Sequence, residues 1–154
     1  MLNVPNMRVC VIDIGSNSTR YMVADLDRGA RRITVLFQGT QITRLGAGME
    51  SGIIRPENAA KTLEVVERFF GHALSLAVSD FKIVGTAALR EASNREEFCR
   101  RVVEKTGYPL LAVDGEKEAA LTEGMSTLWD EGLLKVRAGL TSLEELEAVI
   151  LFIE

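Results

Sequence analysis

Hydrophobic positions change period several times along this chain, and each change marks an element. Val9-Cys10-Val11-Ile12 is an uninterrupted apolar run, the pattern of a strand covered on both faces. A turn of glycine and small polar residues follows it. A returning strand is expected over about residues 19–26, with Asp27-Arg28-Gly29-Ala30 as the next turn and another strand from Arg32 to Gln38. Short connections between adjacent strands predict an antiparallel start to the sheet. Glycines at 46, 48 and 52 then break the pattern.

Beyond the glycines the period lengthens. Pro56 suits the first turn of a helix, and Leu63, Val66, Phe70, Ala73, Leu74 and Ala77 recur at helical spacing, predicting an end near Ser79. Phe81-Lys82-Ile83-Val84 is a short strand that leaves through Gly85-Thr86-Ala87. Asn94 with Glu97, or Ser93 with Glu96, makes a capping box for the next helix. Phe98, Val102 and Val103 form its apolar side, and Thr106-Gly107 with Pro109 ends it. Leu110 to Val113 is a further strand. From Gly115 the pattern is helical again, with Leu121, Met125 and Leu128 in register. Thr141-Ser142-Leu143-Glu144 opens a last helix that turns Leu143, Leu146, Val149, Ile150 and Ile153 inward. The order βββαβαβα predicts an α/β fold, a mixed sheet with helices packed on it.

Composition narrows the function classes. A chain of 154 residues fits one domain, and 47% apolar with 26% charged residues describes an ordinary globular core. The net charge of −4 argues against broad nucleic-acid binding, which needs a basic face, yet allows a local phosphate site. Cys10 and Cys99 fall within strand and helix patterns and read as reduced core thiols. With no signal-peptide pattern and no apolar run near the ~18 residues of a membrane span, a cytoplasmic protein is expected.

Three segments carry candidate chemistry. After the first strand, Asp13 offers a hard oxygen ligand for Mg²⁺. Gly15, Ser16, Asn17 and Ser18 form a turn with backbone and side-chain donors for phosphate oxygens. A tight hairpin capping its own backbone explains the same residues, and composition leaves both accounts standing. In Gly85-Thr86-Ala87-Ala88-Leu89-Arg90, a hydroxyl and a guanidinium leave a strand end, suited to a phosphate or to a surface ion pair. In Gly115-Glu116-Lys117-Glu118, acids open a helix, where they activate water or simply stabilise the helix start. His72, the only histidine, is expected on a solvated face. One histidine and two cysteines are too few for a structural zinc site. The chain has neither a Gly-x4-Gly-Lys-Ser/Thr phosphate loop nor a Gly-x-Ser-x-Gly elbow.

Together these segments resemble the exopolyphosphatase/guanosine pentaphosphate phosphohydrolase (Ppx/GppA) family of the actin, hexokinase and Hsp70-like superfamily. The likeness runs over about residues 7–121. It rests on Asp13-Ile14-Gly15-Ser16-Asn17-Ser18, Thr43-Arg44-Leu45-Gly46, Gly85-Thr86-Ala87-Ala88-Leu89-Arg90 with Asn94, and Gly115-Glu116-Lys117-Glu118-Ala119. The resemblance implies a single actin-like (ribonuclease H-like) lobe that handles polyphosphate or guanosine pentaphosphate with Mg²⁺. It implies that Asp13 is the metal ligand, that Gly15, Ser16, Asn17, Ser18 and Arg90 bind phosphate, and that Glu118 activates the attacking water. Lys117 and Ala120 stand where the family carries an acid and an arginine, and Arg55 stands at the helix-cap position where it carries Ser or Thr.

The family's second lobe opens with a strand and a loop of the form Asp-Ile-Gly-Gly-Gly-Ser-Thr-Glu, and nothing after Glu118 has that pattern. Residues 123–149 are instead similar to the C-terminal tail of type II secretion and type IV pilus assembly ATPases, a tail without their nucleotide site. The expected organisation is therefore a first lobe over 1–121 and a helical tail over 122–154. Weak or no hydrolysis is expected from this chain alone. The alternative is a non-catalytic phosphate-binding or protein-interaction module, with a homodimer or a second-lobe chain as its partner.

Overall fold

The apolar run at the start becomes β1 (Met7–Ile14), and its hairpin partner is β2 (Ser18–Asp27). β3 (Arg32–Ile42) follows, then the long helix α1 (Pro56–Ser75), β4 (Asp80–Gly85), the short helix α2 (Ala87–Glu91), α3 (Arg95–Thr106) and β5 (Leu110–Ala112). The computed structural model describes residues 6–27, 30, 32–85 and 87–112. The strands form one sheet in the order β3-β2-β1-β4-β5. β2 runs antiparallel to both β1 and β3, whereas β4 is parallel to β1 and to β5.

The expected mixed sheet is present, and its antiparallel start is the β1–β2–β3 meander. One helix was not foreseen: residues 87–91, read as part of a turn, form α2. The helices expected beyond Gly115 lie outside the described residues. Among the described residues no helix is long and apolar enough to cross a membrane.

Strand alternation builds two apolar layers. Cys10, Ile12 and Ile14 of β1 join Tyr21, Val23, Phe81 and Ile83 beneath α1 and α3, where Leu63, Val66, Phe69, Phe98 and Val102 are buried. On the other face Met22, Ala24, Leu26 and Ile33 make a second cluster. The inward side of α1 is rotated slightly from its sequence pattern. Val65 and Phe69 are buried there, while Leu74 is exposed. α1 also stops earlier than expected. Ala77 adopts a left-handed φ of 59°, Val78 N closes onto Ala73 O, and Ser79 N already donates to Arg8 O. The chain is thereby drawn into β4. Cys10 is a core thiol, pushed up to about 12 by burial, whereas Cys99 is only half-buried.

His72 departs from its expected solvated place. It is half-buried, its Nδ1 is hydrogen-bonded to Tyr21 Oη at 2.7 Å, and its ring meets Phe37 at 4.6 Å. Tyr21 explains this. Its ring stacks on Phe69 at 4.1 Å and lies over Gly39, its cross-strand partner. A Cβ at residue 39 would stand 2.5 Å from Tyr21 Cε1. The glycine makes room for the ring, and the ring brings its hydroxyl to the histidine.

Arg8 ties three elements together. Its Nε and Nη2 donate to Asp25 Oδ1 and Oδ2 at 2.7 and 3.0 Å, and its Nη1 donates to Leu76 O at 2.8 Å, just past α1. The hydrogen bond from Arg8 holds the Asp25 carboxyl below its ordinary 3.8. A lowered folded-state value gives stability that is complete above the unfolded value and is lost as pH falls through the folded one. Denaturant titrations of wild type and Asp25→Asn between about pH 7 and pH 3 should show the stability gap narrowing on acidification. A gap that stays constant with pH would refute this.

Candidate functional site

Three strands end level at one edge of the sheet. Ile14 lies beside Gly85, and Gly85 beside Ala112. β1 is also where strand direction switches, with an antiparallel neighbour on one side and a parallel one on the other. Ligands of open α/β sheets bind outside the carboxyl ends of the strands. Two of the segments singled out by their chemistry leave these ends: the turn that carries the chain from Asp13, near the end of β1, to Ser18, and residues 87–90 after β4, whereas Gly115–Glu118 lie outside the described residues. Thr86 lies outside them as well.

At the first of these, Gly15 N donates to Ser18 O at 2.9 Å and closes a two-residue tip of Ser16 and Asn17, both exposed. The tip's carbonyls are held from one side. Asn17 O accepts from Thr43 N and Arg44 N at 3.0 and 2.9 Å, and Ser16 O accepts from Gly46 N at 2.9 Å. The C=O and N–H of a trans peptide point in opposite directions. The N–H groups of Asn17 and Ser18 are therefore turned away from residues 43–46, an arrangement of successive amides that suits an anion. The tip's carbonyls are thus held by the backbone of a segment more than 25 residues away. Arg44 adopts a φ of 53° to bring two N–H groups onto one carbonyl, a conformation that costs a residue with a Cβ about 1–2 kcal/mol.

Behind the turn, Thr19 and Thr43 are fully buried with their hydroxyls 3.1 Å apart. Thr43→Val should destabilise by about 1–3 kcal/mol, because the partner hydroxyl is left buried without its hydrogen bond. The double variant Thr19→Val/Thr43→Val should recover part of that loss. Equal and additive losses in urea titrations would rule out the pairing.

Asp13 is half-buried with Oδ1 fully enclosed. Its cross-strand partner is Arg20, an exposed cation that sequence reasoning passed over. Counting outward from the two-residue tip would have found it, since the pairs run 15 with 18, 14 with 19 and 13 with 20. On the neighbouring strand, Gly85 lets α2 settle on the strand end. A Cβ there would stand 2.4 Å from Leu89 Cδ1, and Leu89 is buried. That contact sets the place of Arg90, the next residue, which is half-buried.

The chain between β3 and α1 reaches the α2 side as well. Ser93 N and Oγ donate to Gly52 O at 2.8 and 3.2 Å. Asn94 Oδ1 accepts from Ile54 N at 2.9 Å, while Asn94 Nδ2 donates to Ile54 O at 3.1 Å. The amide expected to cap α3 is thus committed to residue 54. Asn94 does stand at the N-cap position, but it makes no side-chain cap hydrogen bond. The expected capping box is absent for that reason.

Among the described residues no group of three or more His, Cys, Asp or Glu side chains converges as a metal cage. The Asp13 carboxylate beside the Gly15–Ser18 turn would suit a different donor set. Mg²⁺ takes one or two carboxylates, keeps several waters and is completed by substrate phosphates.

A family model described as the Ppx/GppA phosphatase family matches residues 22–136. That match begins four residues after the Asp13–Ser18 turn and runs into the segment that carries the tail resemblance. Exopolyphosphatase 1 of Mycobacterium tuberculosis (strain ATCC 25618 / H37Rv) is 32% identical over 116 residues, 75% of this chain and 34% of that protein. The chain spans about a third of the length of the curated relatives it matches. Among solved structures, the Aquifex aeolicus Ppx/GppA family member superposes with a TM-score of 0.68 at 32% identity, over 74% of this chain and 37% of that one. An exopolyphosphatase from Cytophaga hutchinsonii gives a TM-score of 0.69 at 27% identity, over 75% and 36%. The architecture is accordingly a single actin-like (ribonuclease H-like) lobe.

Proposed function

Because this chain belongs to the Ppx/GppA phosphatase family, we propose that it is the first lobe of a phosphoanhydride hydrolase and holds the terminal phosphates of polyphosphate or guanosine pentaphosphate. The observation that carries this is the tip at Ser16–Asn17. Its carbonyls are bound on one side by residues 43–46, which turns the amides of Asn17 and Ser18 to the other side. Gly15, Ser16, Asn17 and Ser18 supply phosphate donors, and Arg90 approaches from the neighbouring strand end with its guanidinium charge. Arg20, opposite Asp13, adds positive charge on the face of the sheet that carries Asp13. Asp13 would hold Mg²⁺ directly or through water, and the ion when bound neutralises phosphate charge. Glu118 is the residue we assign to activating water.

Phosphoryl transfer depends on positioning and on charge neutralisation from several sides. Within these 154 residues there is one such glycine turn, so the chain by itself should bind better than it hydrolyses. Lys117 and Ala120, beside Glu118, favour the alternative of a module that binds phosphate without catalysis. We further propose that residues 122–154 form a helical tail of the secretion-ATPase type with no ATPase activity of its own, that the protein is cytoplasmic, and that a second-lobe chain or a second copy is its partner.

The test uses tripolyphosphate with the isotope-labelled 154-residue chain, and colorimetric phosphate release from polyphosphate. Mg²⁺-dependent shifts of the Gly15–Ser18 amides are expected, with turnover orders of magnitude below that of a two-lobed relative. Brisk turnover abolished by Glu118→Gln would overturn the low-activity expectation. Unmoved amides at the turn would overturn the phosphate assignment itself.

A further inference from the structure

The connection between β3 and α1 is hydrogen-bonded at both of its ends to the two halves of the candidate site. At its start Thr43 N, Arg44 N and Gly46 N hold the carbonyls of the Asn17 and Ser16 tip. At its far end Gly52 O accepts from Ser93, and the Asn94 amide takes both the N–H and the C=O of Ile54. Between these ends the segment is stiffened by its own contacts and by one from α1. Ala47 N donates to Arg44 O at 3.0 Å, Gly52 N to Met49 O at 2.8 Å, and Asn58 Nδ2 to Ala47 O at 2.9 Å. Leu45 and Ile54, near its two ends, are buried in the main core. Such a segment is restrained in both length and orientation.

We propose that residues 43–54 are a strut that sets the spacing between the phosphate turn and Arg90, with Asn94 as its positioning residue. Arg90 and Asn94 are joined through Ala92, which is buried, and Ser93, which is bonded to the strut. Displacing residues 93 and 94 therefore displaces the end of α2. The side chain at 94 must both accept and donate across one residue's backbone, which an amide does and an alanine does not. The structure gives Asn94 this work in place of helix capping. Its ligand consequence rests on the phosphate assignment above, whereas the strut itself does not.

Two measurements on the full chain separate these. In the ligand-free protein, Asn94→Ala should speed hydrogen exchange at the distant amides of Thr43, Arg44 and Gly46 as well as at Ile54. Faster exchange confined to residues 52–54 and 93–95 would overturn the strut whatever the ligand. With Mg²⁺ and tripolyphosphate, Asn94→Ala should weaken binding roughly five-fold, within the range that residues away from the ligand exert. The double variant Arg90→Ala/Asn94→Ala should then bind no more weakly than Arg90→Ala alone, since Asn94 acts through Arg90. Additive losses would overturn the positioning role. Arg90→Ala binding as tightly as wild type would overturn the phosphate assignment of Arg90, and the positioning role with it, while leaving the exchange result to decide the strut.

Discussion

Asp13→Asn should weaken Mg²⁺-dependent tripolyphosphate binding by about ten-fold or more, the ~1.5–3 kcal/mol that a contact to a charged group carries. The substitution keeps the shape of the side chain and removes its charge. Asp13 is half-buried near the end of β1, with one oxygen enclosed, so an isosteric change suits the site better than truncation. Without Mg²⁺ the sign should reverse. A carboxylate beside a phosphate is then a like charge, and its removal should leave tripolyphosphate binding equal or tighter. Calorimetric titrations in Mg²⁺ and in chelator, on both proteins, measure the crossover. An equal loss under both conditions would assign Asp13 a structural role and remove it as the metal ligand.

Ile12→Ala should lower folding stability by about 2–5 kcal/mol, the range for truncating a buried aliphatic side chain. Ile12 is fully buried on the central strand, with Tyr21 opposite it on β2 and Ile83 on β4. Neighbours on both sides belong to one hydrogen-bonded sheet and cannot close the cavity without moving a strand. Against a total of about 5–15 kcal/mol for a domain, such a loss brings the chain near its unfolding threshold. Leu74→Ala, on the outer side of α1 with half of its surface exposed, should cost less than about 1 kcal/mol in the same urea titrations. Similar losses at the two positions would mean that the core is not where the structure places it.

Local pattern carried the elements far, because each rests on neighbours close in sequence. The unbroken run Val9–Ile12 identified a strand covered on both sides, and Val11 and Ile12 are buried from opposite faces of β1. Pro56 marked the start of α1, and Thr106-Gly107 marked the end of α3. Three of the misses have a common cause. α1 ends early because Ser79 is captured by Arg8, and Asn94 is diverted from capping because Ile54 is beside it. His72 is drawn inward because Tyr21 lies across a glycine 33 positions from the histidine. Each competing partner is remote in sequence and comes near only once the sheet has formed.

The candidate site divides in the same way. Sequence alone determined which residues are the candidates for chemistry: an acid at a strand end, a glycine turn with hydroxyl donors, and a guanidinium leaving a second strand. Residue type and spacing suffice for that, since donor capacity and turn tendency are local properties. Only the tertiary structure decided that β1 and β4 lie side by side and parallel, so that the turn and Arg90 leave one edge. It alone set residues 43–46 behind the tip, turning its amides outward. Those outcomes depend on strand register and on backbone hydrogen bonds between segments tens of residues apart, and neither is encoded in the order of side-chain types at the turn itself.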